Sequence, residues 1–152
     1  MDTYIIIGRA SVGKSSLVRA LTGIRNADER LMASLGGTNF KLWAKDSSLQ
    51  EARIDPLSFI ADVTARNVDA VLLTLWPQSR TSGGVVYPDA AGYIREFVRA
   101  GWIIQPVVIL NTGGPMIPVI LPAGVLSTHI SNVRTVPFNT FVGSVRAHWG
   151  WI

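Results

Sequence analysis

A chain of 152 residues, 48% hydrophobic and only 16% charged, can bury a real core and is too apolar to be a disordered segment. Its 14 basic and 10 acidic residues leave a net charge of +4, and the absence of cysteine excludes disulfides and thiolate metal sites. No apolar run approaches the ~18 residues that cross a bilayer, and the first residues are strand-like rather than a basic leader with a cleavage site, so one domain, 1–152, in the cytoplasm is expected. No acidic residue follows Glu96, an asymmetry that would suit an acidic partner or nucleic acid. Against that, Arg99, Arg134 and Arg146 are the only Arg or Lys there, and three scattered charges make no basic stripe.

In chain order, Tyr4 to Ile7 is a short apolar run that reads as a buried strand. Gly8-Arg9-Ala10-Ser11-Val12-Gly13-Lys14-Ser15 follows, and then a helix whose Leu17, Val18 and Leu21 repeat at helical spacing and stop at Gly23. Residues 23–37 are polar and mixed and read as a loop. Phe40 to Ala44 and Leu49 to Ile54 read as two strands joined through Lys45-Asp46-Ser47-Ser48 as a hairpin turn. Asp55-Pro56 opens a helix with Leu57, Ile60, Ala61 and Thr64 on one face, and Asp69 to Trp76 is a buried strand. Pro77 to Tyr87 is a loop containing Gly83-Gly84. Pro88-Asp89 starts a helix with Ala90, Ala91, Ile94, Phe97 and Val98 as its apolar face, ended by Gly101. Val107 to Leu110 is a further buried strand, preceded by Pro106. Residues 111–127 are rich in Gly and Pro yet apolar, Val133 to Val136 reads as a last strand, and Asn139 would cap a final helix carrying Phe141, Val142, Val145 and Trp149. Strands alternating with helices predict an α/β sandwich of three layers with a mainly parallel sheet and one antiparallel edge hairpin.

The stretch from Gly8 to Ser15 fits G-x-x-x-x-G-K-[ST], the phosphate-binding P-loop, in the strand–loop–helix context its chemistry needs. Glycine at 8 and 13 lets the backbone bend so that successive N–H groups converge on phosphate oxygens, with the positive end of the helix dipole behind them. Lys14 would reach the β- and γ-phosphates and the Ser15 hydroxyl would ligate Mg²⁺. The expected phosphate cradle is thus Gly8, Arg9, Ala10, Ser11, Val12, Gly13, Lys14, Ser15 and Ser16. The competing reading is an ordinary strand-to-helix turn.

Residues 8–23, GRASVGKSSLVRALTG, resemble the first motif of the bacterial ribosome-assembly GTPases, which typically read G-R-x-N-V-G-K-S-[ST]-L-x-N-x-L. The resemblance covers about a tenth of the chain. It implies a P-loop NTPase fold and a slow, Mg²⁺-dependent GTPase-like switch. It also implies Thr38, after Gly36-Gly37, as the threonine that closes over Mg²⁺ and the γ-phosphate; a Gly-Gly-Thr turn is the alternative. Asp55 is the match for the metal-holding Asp of D-x-x-G, here Asp55-Pro56-Leu57-Ser58; a helix cap is the other role open to it, and both can hold. Asn111 matches the first residue of the guanine-reading N-K-x-D, but Thr112 and Gly114 replace its Lys and Asp. A base site lined by Thr112, Gly113, Gly114 and the run from Pro115 to Leu121 would offer stacking and shape to GTP or ATP alike. No Gln or His follows Asp55 where a water-orienting group is expected; Phe59 and Ile60 stand there instead.

A second resemblance is to partition-type ATPases, through Ile54-Asp55-Pro56, Leu75-Trp76-Pro77-Gln78-Ser79 and Asn111, with Arg9 in the place of their signature Lys. That family implies self-association or a protein partner, and DNA or membrane binding. A small P-loop kinase, with Arg80 in a lid, and a nucleotide-binding structural subunit without turnover are the remaining readings. His129 and His148 have no paired ligand at zinc spacing, and Trp149 and Trp151 read as core or interface aromatics.

Overall fold

The structure, a computed structural model, describes residues 1–113, 115, 118–131, 133 and 137–152. Strand β1, Asp2–Ile7, is fully inside the sheet, and its side chains alternate between two cores. Tyr4 and Ile6 face one, Ile5 and Ile7 the other. Each of these isoleucines is fully buried, which is worth about 1.5–3 kcal/mol apiece.

Helix α1, Lys14–Thr22, buries Leu17, Val18 and Leu21 in the first core and ends at Gly23, whose φ of 74° lets its N–H return to the Arg19 carbonyl. The next element is strand β2, Ala27–Ala33, antiparallel to β3, Asn39–Ser48. The hairpin therefore lies earlier than the sequence predicts. Residues 27–33 are a strand rather than loop, Lys45 to Ser48 continue β3 instead of turning, and Leu49 to Ile54 are not a strand. The reason is positional. β2 is an edge strand, mostly exposed, with no apolar alternation to betray it, and it is held by main-chain pairing and by the Lys41–Glu29 ion pair at 2.7 Å.

Helix α2, Pro56–Thr64, and strand β4, Ala70–Leu75, follow; every residue of β4 is buried. The loop expected at 77–87 contains a small hairpin, β5 (Arg80–Ser82) and β6 (Val85–Tyr87), turning at Gly83-Gly84, both with positive φ. Helix α3, Ala90–Arg99, is capped by the Asp89 carboxylate, which accepts from the Gly92 N–H at 2.8 Å. Strands β7 (Ile103–Ile104) and β8 (Val107–Leu110) come next, then β9, Ser127–Ile130, a strand the sequence does not predict. The strand expected at 133–136 falls largely outside the described residues, and Val133 itself is in a turn. Helix α4, Phe138–Trp149, starts without a side-chain cap, so Asn139 is not its cap. Phe141, Val142, Val145 and Trp149 are buried as expected.

The main sheet runs β2-β3-β4-β1-β8-β9, with β7 pairing β1, and is parallel apart from β2. One core joins the sheet to α1 and α4, the other joins it to α2 and α3, so the chain is a three-layer α/β arrangement. Two consequences reach the site. The loop after β1, the end of β3, Trp76 and Asn111 all gather at the carboxyl edge of the parallel strands, where open α/β sheets bind ligands. Strand β4 also lies between β1 and β3, so β3 approaches the loop only through α1.

Candidate functional site

The loop after β1 has the backbone its sequence demands. At Gly8 a Cβ would stand 2.5 Å from Val12 Cγ1 and 3.4 Å from Leu110 Cβ, so only glycine fits the close approach. Gly13 has open space around it but a φ of 102°, and Ser11 takes a left-handed φ of 59°. Val12 is buried and anchors the loop, whereas Arg9, Ala10, Ser11 and Ser16 are exposed around the mouth. Among the described residues, no main-chain carbonyl accepts from the amides of Ala10, Ser11, Val12 or Gly13. These N–H groups, with the free first turn of α1, form a concavity suited to an anion.

Lys14 is folded into that concavity. Its ammonium donates to the carbonyls of Gly8 and Arg9, both at 2.7 Å, and the side chain is buried. Burial pushes its pKa down to about 8, opposed by the negative charge of Glu51. The Ser15 hydroxyl donates to the main-chain carbonyl of Asp46 at 2.7 Å. The Asp46 carboxylate is buried and takes two hydrogen bonds from Arg19, at 3.0 and 2.9 Å.

The other expected site residues fall in different places. Thr38 lies in the β2–β3 turn, where its N–H donates to Ser34 Oγ and its carbonyl accepts from Ser34 N–H. Leu42 is level with Ala70 and Asp2, the amino ends of their strands. Thr38 is therefore at the opposite edge of the sheet from Gly8, about 30 Å away at strand rise. The structure does not bring it to Lys14 or Ser15.

Asp55 caps α2: its two carboxylate oxygens accept from the Ser58 N–H at 3.0 Å and from the Ser58 hydroxyl at 2.6 Å. Those Ser58 bonds hold its carboxyl below the usual range. Because α2 packs on the face away from α1, Asp55 is not joined to Ser15. Asn111 is beside the loop: it lines a crevice with Gly8, Pro77, Val119 and His129, of about 10 Å³, room for roughly one water and not for a base. Thr112 and Gly113 are exposed; Gly114 and part of the run from Pro115 to Leu121 lie outside the described residues.

The carboxylate that the sequence reading missed is Asp46. Asp46-Ser47-Ser48-Leu49-Gln50 sits on the D-x-x-G spacing as well as Asp55 does, with a Gln next in line, but its hydrophilic start reads as a turn until β3 is known to run on through Ser48. Leu49, in the glycine's place, donates its N–H to Thr74 O at 3.2 Å, so that amide belongs to the sheet. Gln50 is fully buried; its amide bridges the Trp76 N–H, the Trp76 carbonyl and the Pro88 carbonyl.

Two further clefts flank the loop. One of about 320 Å³ is lined by Arg9, Ala10, Trp76, Pro77 and Gln78, with the Arg80 guanidinium over the Trp76 ring at 5.0 Å. Another of about 430 Å³ lies between Ser11, Gly13 and Ser16 on one side and Val133, Phe138 and Phe141 on the other. Among the described residues there is no cluster of three or more His, Asp or Glu that could hold a metal by itself, and no helix long and apolar enough to cross a membrane. Comparison with protein-family models, with curated proteins and with solved structures finds no match.

Proposed function

We propose that this chain binds a nucleoside triphosphate, GTP or ATP, as its magnesium complex and hydrolyses it slowly. The observation that carries the reading is the loop itself. Gly8 is sterically required, Gly13 has a left-handed φ, amides are free of main-chain partners, and a buried Lys14 ammonium hangs over the concavity. Among the described residues, this buried lysine has two carbonyls of the loop as hydrogen-bond acceptors and no ion pair, and a triphosphate would supply an anion in direct contact. Magnesium fits the donor set if phosphates provide most of its ligands, as they commonly do. Ser15 would be the direct ligand, with Asp46 reaching the ion through water once Arg19 releases it.

The switch part of the reading has less support. Thr38 is at the far edge of the sheet, and the amides of Leu49 and Ser58, the two candidates for a γ-phosphate contact, are both engaged. These observations favour, as a second reading, a nucleotide-binding subunit with little or no turnover.

The test is stabilisation by ligand. Mg–ATP or Mg–GTP should raise the melting temperature of the wild type, since binding to the native state alone stabilises by mass action. Lys14→Ala and Ser15→Ala should each abolish most of that rise. A Lys14→Ala protein that responds like the wild type would refute the reading.

A further inference from the structure

The loop fixes the direction in which a bound nucleotide would run. Lys14 and Ser15 serve the β- and γ-phosphates and the metal, while the preceding amides cradle the α- and β-phosphates. Ser15 is tied to Asp46 on β3, and Glu51, just beyond β3, is the carboxylate that Lys14 senses. The terminal phosphate therefore belongs on the β4–β3 side of β1. The nucleoside must leave on the other side, toward β8 and β9, where α4 begins.

On that side lies the 430 Å³ cleft, well within the usual size of small-molecule sites and continuous with Ser11, Gly13 and Ser16 of the loop. Its far wall is aromatic. Phe138, the first residue of α4, is 40% exposed, and Phe141 fixes its plane by an edge-on contact, with centroids 4.8 Å apart and rings at 89°. An exposed phenylalanine held by a buried one, facing the nucleoside end of a phosphate cradle, is a stacking platform. The crevice at Asn111 is far too small to compete, and the Trp76 cleft opens from Arg9 and Ala10, on the terminal-phosphate side.

We infer that the cleft between the loop and the start of α4 seats the nucleotide base against Phe138, reading its aromatic face rather than its hydrogen-bonding edge. The inference rests on the triphosphate-binding reading above. Among the described residues, the polar side chains on the cleft wall are the hydroxyls of Ser11 and Ser16, which donate or accept by rotation and so suit either purine. Every base has a π-face, so stacking tolerates sequence where an amide or carboxylate would not. ATP and GTP should bind alike.

Calorimetric titration with Mg–ATP, Mg–GTP and Mg–tripolyphosphate tests this on the full chain. In the wild type, ATP and GTP should bind within about tenfold of each other. Phe138→Ala should weaken both by about tenfold or more and leave tripolyphosphate within about twofold, because that ligand has phosphates but no base. Phe138→Tyr keeps the ring and should bind both nucleotides nearly as the wild type does. Phe138→Leu keeps the bulk without the ring and should behave as the alanine variant, a check that stands if Phe138→Ala folds poorly. Undiminished nucleotide affinity in Phe138→Leu, equal losses for nucleotide and tripolyphosphate, or a wild-type purine preference beyond about a hundredfold would each overturn the inference. Failure of the wild type to bind tripolyphosphate would instead strike at the phosphate cradle itself.

Discussion

The Ser15 hydroxyl and the main-chain carbonyl of Asp46 meet at 2.7 Å, tying the first turn of α1 to the end of β3 across the intervening β4. That contact places Asp46, not Asp55, beside the hydroxyl that would ligate magnesium. The Arg19 guanidinium holds the Asp46 carboxylate and must yield for the ion. Asp46→Asn should remove most of the difference in nucleotide affinity between magnesium and EDTA, whereas Asp55→Asn should leave that difference within about twofold. Arg19→Ala should preserve or enlarge it. A collapse of magnesium dependence in Asp55→Asn alone would return the metal role to that residue.

Asp55 has a structural task that can be measured separately. Its oxygens satisfy the Ser58 amide at the start of α2, so Asp55→Ala should cost about 1 kcal/mol in urea unfolding at neutral pH, and Asp55→Ser much less. Its carboxyl is depressed in the folded state. The contribution is therefore fully present above the unfolded value of about 3.9 and is lost as pH falls through the lower folded value. The gap between wild type and Asp55→Ala should close in acid. A gap that stays constant from pH 7 down to pH 2 would show that the cap does not depend on the charged form.

The depressed Lys14, with a pKa of about 8, gives a dependence of the same sign in the alkaline range. The folded chain binds this proton less readily than the unfolded chain, so Lys14 makes stability rise with pH between about 8 and the unfolded value near 10.4. Triphosphate binding needs the ammonium and should restore it. At pH 8.5 part of the unliganded lysine is neutral, so binding should take up a fraction of a proton. Titrations in two buffers of different ionisation enthalpy read that uptake directly, and Lys14→Arg, which keeps its charge, should show none. Equal uptake by both proteins would assign the proton elsewhere.

Turnover should be slow. Gln50 stands four residues after Asp46, yet all three of its amide hydrogen bonds go to the main chain of Trp76 and Pro88, leaving it unable to orient a water. Glu51, whose charge acts on Lys14, and the exposed Gln78, in the cleft with Arg9 and Ala10, are the side chains left near the loop for that task. Phosphate release in single-turnover conditions should run below about 1 s⁻¹, the low end of ordinary enzyme rates. Faster turnover that persists in both Glu51→Gln and Gln78→Ala would mean that Gln50 leaves its place in the loaded protein.

The sequence by itself determined what is local or fully buried. The glycines at 8 and 13 follow from a loop that must bend tightly between β1 and α1, and β1, β4 and β8 follow from runs of apolar residues buried on both faces. Asp55 could be read as a cap because a cap needs only its own first turn, whereas Asn139 lies one residue inside α4, which starts without a side-chain cap. Tertiary structure alone decided the pairings. β2 has no apolar alternation, since as an exposed edge strand it buries almost nothing and is held by main-chain bonds to β3. Until that pairing is known, Asp46 looks like a turn residue and Thr38 looks near Lys14, twenty-four positions later in sequence. In the folded chain β3 runs back toward the loop, which brings Asp46 to Ser15 and leaves Thr38 at the opposite edge. The cleft at Phe138 was hidden for the same reason. It joins residues more than a hundred positions apart, and only the packing of α4 beside α1 on one face of the sheet sets them against each other.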